Sequence, residues 1–341
     1  MVPGDTSFNR NETENGPSVL KHGRREVLLR LARLGLVAGS SAYLGHALYD
    51  APGFSGYVKR GSRQVRDFRL DAEELTAQLP QMAIAQSSTV PEELTRRAIE
   101  ALGGMKRFIS RGDRVAVKPN IGWDRTPAHA ANTNPRVVAE VVRLCLNAGA
   151  SQVVVTDASC NEARRSFQRS GIWKQAHEAG AQVVLPASHR FKTMRLRGEL
   201  LDEWPVYTPL IEADKVINIP VAKHHNLSNY TGAMKNWYGV LGGRRNRLHQ
   251  NIHLSIADLA TFMRPTLTVL DATRVLVRNG PQGGNIADAR DMHQVIASMD
   301  EVAADTYGAR LIGVDPATVK YLALGQERDL GKMDLLSVVR V

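Results

Sequence analysis

The stretch from Lys223 to His253 mixes lysine, histidine, arginine and glycine with few acids, which suits it to hold an anion and move a proton. Four imidazoles lie in it: His224, His225, His249 and His253. His224 and His225 are candidate acid–base groups, since an imidazole titrates near neutral pH. His249 and His253 are spaced i, i+4, which puts them on one face of a helix and makes them candidate ligands for a divalent metal. Lys235, Arg244 and Arg245 are placed to fix phosphate or carboxylate groups. Gly232 and the glycines after it would let backbone amides come close to such an anion.

These side chains need a frame, and the sequence supplies one. Short buried runs alternate with helical patterns: a strand over 113–120, a helix over 134–148, a strand over 152–157, a helix over 162–179 and a strand over 181–185. Further strands are expected over 215–220 and 267–272, and helices over 286–299 and 300–312. Asn134, Pro135 and Gly149 are the start and stop signals of the first helix. This order predicts an α/β fold, a mostly parallel sheet with helices on both faces. Ligands of such sheets bind beyond the carboxyl ends of the strands. Lys118 and Asn120 stand there, as do Asp157 and Ser159, then Lys223, then Asp271. The expected catalytic set is His224, His225, Lys235 and Asp271; the expected ligand-holding set is Lys118, Asn120, Asp157, Gly232, Arg244 and Arg245. The loop Asn279-Gly280-Pro281-Gln282-Gly283-Gly284-Asn285 is expected to fold over that edge, and Asp300 either caps its helix or acts directly.

Composition narrows the class. A hydrophobic fraction of 43% over 341 residues is enough for a real core. The net charge of +10 comes with no run of five like charges, so an anionic small molecule fits better than nucleic acid. Two cysteines, Cys145 and Cys160, are too few for an iron–sulfur cluster of the chain's own. Cys145 sits in an apolar helical run and reads as core, while Cys160 follows a strand end. Residues 1–50 read as a polar, disordered segment followed by an export signal: Arg24-Arg25 precede a weakly apolar stretch interrupted by Arg33, too poor for a membrane span. The pair marks a twin-arginine signal, with Gly23 where Ser or Thr is usual. The expectations are a periplasmic protein, engagement of the twin-arginine translocation machinery, and only transient membrane contact through the signal. Residues 51–341 form the α/β domain, as one body or two lobes.

Several stretches resemble the family called domain of unknown function 362. They are Val117-Lys118-Pro119-Asn120-Ile121-Gly122, Thr133-Asn134-Pro135, Ala148-Gly149-Ala150 and Val154-Val155-Thr156-Asp157. Ala222-Lys223-His224-His225, the segment from Thr231 to Gly239, Val269-Leu270-Asp271-Ala272, Asn279-Gly280-Pro281, Ala303-Ala304-Asp305 and Gly313-Val314-Asp315-Pro316 continue the likeness over about residues 80–325. Many members carry ferredoxin-like cysteines, which this chain lacks; others carry twin-arginine signals, in line with Arg24-Arg25. A fainter likeness is to the N-terminal half of nickel-pincer lactate racemases. It implies that Gly232, Lys235, Gly239 and His249 or His253 stand where a cofactor is framed, although Met234 replaces a small residue and a Pro is missing. The functional expectation is an exported enzyme or cofactor-handling protein for an anionic small molecule. A metal-delivery protein and a non-catalytic accessory subunit are the alternatives.

Overall fold

The structure is a computed structural model and describes residues 66–70, 79–335 and 338–341; the expected disordered segment and signal lie outside them. Runs such as Val115-Ala116-Val117 and Val216-Ile217 have no polar face, which suits strands covered on both sides. Strand Arg114–Pro119 lies between Gln152–Val155 and Lys215–Ile219, all parallel. Gln152–Val155 pairs in parallel with Gln182–Val183, and Lys215–Ile219 with Leu267–Leu276. The other half of the sheet is mixed. Ala289–Ser298 runs antiparallel between Leu267–Leu276 and Met82–Ala85, and Val338–Arg340 closes that edge in parallel. The fold is α/β with a largely parallel sheet, as the strand–helix alternation predicts.

Two expected elements are corrected. The helix expected over 286–299 is instead strand Ala289–Ser298, whose last four residues are buried. An apolar run as short as Val295-Ile296-Ala297 does not distinguish helix from strand by period, and pairing with two neighbours decides it. The helix expected over 162–179 is two, Ala163–Arg169 and Ile172–Glu178. Gly171, at φ +76°, breaks the backbone between them.

Pleating sends alternate residues to opposite faces. Ala83, Ala85, Val115, Val117, Ile217 and Ile219 share one core with Leu94, Val137, Val141 and Ile172 of the helices on that side. Met82, Ile84, Ala116, Val216, Leu270 and Ala272 face the other core, with Ile256, Leu259, Val302 and Tyr321. Helix Pro135–Ala148 starts as expected: the Asn134 side chain accepts from the Arg136 amide, and Gly149 ends it in the left-handed region. Cys145 lies inside this helix, fully buried, and burial pushes its thiol up; both cysteines are free. No described helix is long and apolar enough to cross a membrane.

Candidate functional site

At the carboxyl ends of strands Arg114–Pro119 and Gln152–Val155, the chain encloses a cavity of about 410 Å³. Hairpin Val221–His225 and Asn229–Thr231 forms one wall, and the turn from Ala233 through Val240 another. Asn120, Asp157, Cys160, Lys223, His225, Lys235, Asn236, Tyr238, Arg245 and His249 all line it. Topology thus brings residues more than a hundred positions apart to one edge, as the strand-end argument requires.

Three buried lysines sit here in three different states. Lys118 is fully buried with its Nζ 2.8 Å from Asp157 Oδ1. Burial lowers its pKa while Asp157 opposes that shift. Asp157 Oδ2 accepts from the Ile121 amide at 2.7 Å. Gly239 lies directly on this pair: a Cβ there would meet the Asp157 carboxylate and Lys118 Nζ, so the close approach demands glycine. Lys223 has only neutral acceptors, Asn120 Oδ1 at 3.0 Å and the Ala131 carbonyl at 2.5 Å, and burial pulls its pKa down to about 7. Lys235 is 8% exposed and has neither an acid nor a hydrogen-bond acceptor among the described residues. Its Nζ stands 4.4 Å from the centre of the Tyr238 ring, a cation–π contact, and burial brings its pKa to about 8.

The imidazoles have their protons assigned by the backbone. The Leu227 and Ser228 amides donate to His225 Nδ1 at 3.1 and 3.3 Å, so its proton is on Nε2. Burial, with Lys235 and Lys223 adding repulsion, drives its pKa down to about 2. The Gly280 amide donates to His224 Nδ1 at 3.2 Å, which docks the loop expected to fold over this edge, and Pro281 reaches the cavity wall. His249 Nδ1 lies 3.0 Å from the Asn246 carbonyl, so that nitrogen carries the proton and Nε2 keeps its lone pair. The His225 and His249 rings stack at 6.3 Å, one presenting a donor and the other an acceptor.

Beneath the cavity runs a chain of amides. Lys223 donates to Asn120, whose Nδ2 donates to Asn236 Oδ1 at 3.0 Å. Asn236 Nδ2 donates to Asn218 Oδ1 at 2.7 Å, and Asn218 Nδ2 donates to Glu301 Oε1 at 2.6 Å. All four bonds point the same way, from an ammonium to a carboxyl group, so each polarises the next. Trp237 Nε1 also donates to Glu301, whose pKa burial raises to about 7. Sequence reasoning named Asn120 but not Asn218, Asn236 or Glu301; an asparagine inside an apolar strand, as in Val216-Ile217-Asn218-Ile219, was the available signal.

Other expected residues stand elsewhere. Gly232 opens the short helix Ala233–Asn236, but the next two amides donate to Asp305, Ala233 at 2.5 Å and Met234 at 3.0 Å. The protein's own carboxylate occupies the place expected for an external anion. Both oxygens of Asp271 are also engaged: Oδ2 accepts from the Asn134 amide, and Oδ1 from the Thr273 amide and hydroxyl. Arg244 is exposed outside the cavity lining, whereas Arg245 donates to the carbonyls of Ala158 and Ser159 and lines it. The one-face arrangement of His249 and His253 does not form. His249 lies in the 3-10 turn Arg245–Asn251, and His253 in helix Ile252–Phe262, stacked on Tyr321 at 6.1 Å. Among the described residues, no three His, Cys, Asp or Glu side chains gather as metal ligands. Asp300 caps its helix, accepting from the Ala303 amide at 2.8 Å.

Residues 115–310 match the family described as Domain of unknown function (DUF362). The chain belongs to the DUF362 family. It is 29% identical over 252 residues to the thylakoid-associated protein sll1697 of Synechocystis sp., covering 68% of this chain and 73% of that one. Two solved structures resemble it in part. One is a Thermotoga maritima protein at TM-score 0.35 and 12% identity, covering 70% of this chain and 58% of that one. The other is the lactate racemase apoprotein of Thermoanaerobacterium thermosaccharolyticum at TM-score 0.38 and 12% identity, covering 67% of this chain and 56% of that one. The DUF362 match spans the strands and turns that build the cavity.

Proposed function

We propose that this DUF362 protein is an exported enzyme or cofactor-handling protein that takes an anionic small molecule into the cavity, with Lys235 meeting its charge. One observation carries the reading: Lys235 lines the cavity, buried and without an anion of the protein's own, while Lys118, also buried, has Asp157. An unpaired buried ammonium is costly and is relieved by a counter-ion. Lys223, with its pKa near 7, is the group matched to passing a proton at neutral pH. His225 serves as a neutral Nε2–H donor, because its Nδ1 is already taken and it resists a second proton. A metal-delivery role has less support, since His249 and His253 lie in different elements, with the His253 ring stacked on Tyr321.

Delivery to the periplasm by the twin-arginine route belongs to the same proposal and rests on Arg24-Arg25. The name of the Synechocystis relative ties that protein to thylakoids; for this chain we propose membrane contact through the signal only. Titration of the mature chain with inorganic phosphate at low salt, with native mass spectrometry of whatever co-purifies, tests the cavity. Lys235→Ala is expected to lose binding while keeping its circular dichroism spectrum. Binding that survives the substitution would sink the assignment. Replacing Arg24 and Arg25 by lysine is expected to leave the protein in the cytoplasm, and continued export would overturn that half.

A further inference from the structure

The cavity holds one group that anion binding does not use. Cys160 is an exposed free thiol in the cavity wall, and its Sγ lies 3.8 Å from Arg245 Nη2. The Cys160 amide is fixed by the Gly122 carbonyl at 3.0 Å. A Cβ on Gly122 would touch the sulfur at 3.9 Å, so glycine leaves that side of the thiol open. Lys223, Lys235 and Arg245 face the same space, and none of the three is paired with a carboxylate among the described residues. Asp157 is already held by Lys118 and the Ile121 amide. A reagent reaching the sulfur from the cavity side meets three cations with no carboxylate partner among the described residues.

We propose that Cys160 is a thiol–disulfide exchange site selective for small anionic disulfides, an inference that rests on the anion-binding reading of the cavity. The thiol gives its proton to water, and the thiolate attacks one sulfur of the disulfide. A new S–S bond forms to Cys160, the old one breaks, and the other half leaves as a thiolate with the electron pair. The cations do their work on the approaching and departing anions, by attraction before the step and by stabilising the released thiolate. The chain's other thiol, Cys145, is buried in the core of helix Pro135–Ala148 and does not resolve the product. The mixed disulfide therefore waits for a second thiol from solution.

The test uses the purified mature chain with two reagents, dianionic 5,5′-dithiobis(2-nitrobenzoate) and uncharged 4,4′-dithiodipyridine. Each rate is divided by that of a free model thiol. The anionic reagent is expected to be favoured by about tenfold at low salt, with the advantage fading as salt is added. Cys160→Ser removes the reaction of the folded protein. Lys235→Met slows the anionic reagent by about tenfold and changes the neutral one by less than about twofold. Equal normalised rates for the two reagents, or an equal loss of both in Lys235→Met, overturns the proposal. Phosphate titration of Cys160→Ser separates the two readings. If phosphate binds there in a Lys235-dependent way while the reagents show no preference, only the cysteine inference falls; if phosphate does not bind, the cavity reading falls with it. Lys235→Arg, which keeps the charge, is expected to restore the preference, and its failure to do so while folded also counts against the proposal.

Discussion

Two sets of buried charged groups in this fold are treated in opposite ways. The acids are saturated. Asp258 accepts from the Glu199, Leu200 and Leu201 amides and from Arg328, at 2.7 to 3.1 Å. Asp305 and Asp271 use both oxygens on backbone and hydroxyl donors. The cavity lysines are not saturated: Lys223 has neutral acceptors only, and Lys235 has a ring face. A buried acid with both oxygens held by fixed donors keeps the chain in shape. A buried charge left short of partners costs stability and awaits a ligand. The contrast separates scaffold from site among residues of the same chemical class.

The comparison breaks most visibly if a saturated acid is removed. Asp258→Ala strands three amides and leaves the Arg328 guanidinium with Glu199 alone, so about 3 kcal/mol of unfolding free energy should be lost in a denaturant titration. Phosphate binding below the melting transition should be unchanged. Lys235→Met should do the reverse. Burial holds the folded-state pKa of Lys235 at about 8, below the ordinary lysine value of 10.5, so the unfolded chain holds more protons between those values. Stability of the native chain therefore rises with pH across that window, and the penalty is fully present below about pH 8. Removing the lysine should add roughly 3 kcal/mol or less at neutral pH, and nothing above about pH 10.5, while abolishing anion binding. A variant that binds no anion and is also less stable at neutral pH would place Lys235 with the scaffold.

How much of this was legible beforehand follows the same division. The parallel strands were readable because Val115-Ala116-Val117 and Val153-Val154-Val155 are apolar on both faces and end in polar residues. The cap at Asn134 and the stop at Gly149 were readable because their chemistry is local. Lys118, Asn120, Asp157 and Lys223 could be placed near one edge because strand ends converge there, and the glycine-rich segment that follows carries Lys235 and Arg245 to the same cavity. What decides a charge's role was not readable. Asp271 and Asp157 look alike in sequence, each following a short apolar run, although Asp271 proves to lie within strand Leu267–Leu276 rather than beyond its end. Only the fold brings Lys118 to one and the Asn134 amide to the other. Gly232 and Gly239 look alike too, yet one leads into amides held by Asp305 and the other lies on the Lys118–Asp157 pair. The strand Ala289–Ser298 was missed because its identity comes from its neighbours rather than from its own period.

Smaller effects sharpen the contrast at its boundary, where the amide chain joins a cavity cation to a buried acid. Glu301 has a pKa near 7, raised by burial from 4.5. Between those values the folded state holds more protons than the unfolded one, so its contribution to stability falls as pH rises through that window and is lowest above about pH 7. Glu301→Gln removes that charge. It also removes the anionic end that polarises Asn218, Asn236, Asn120 and Lys223, so the Lys223 ammonium should become less favoured. The alkaline limb of phosphate binding should move down by about half a pH unit. Glu301→Asp, which restores a carboxyl group, should recover part of the shift; a merely structural role would move stability in both variants and leave the profile in place.

The least perturbing test concerns His225, and its expected outcome is the absence of a change. Two amides donate into Nδ1, and the nearby lysines oppose a second proton. Between about pH 5 and pH 6.5, where a free imidazole titrates, this ring should stay neutral with its proton on Nε2. Nitrogen-15 NMR of the side chain reads both the tautomer and the charge directly. A ring that gains a proton in that range would show the Leu227 and Ser228 amides turned away from it. The cavity would then carry a titrating imidazole beside Lys235, and the proton-passing role assigned to Lys223 would move to His225.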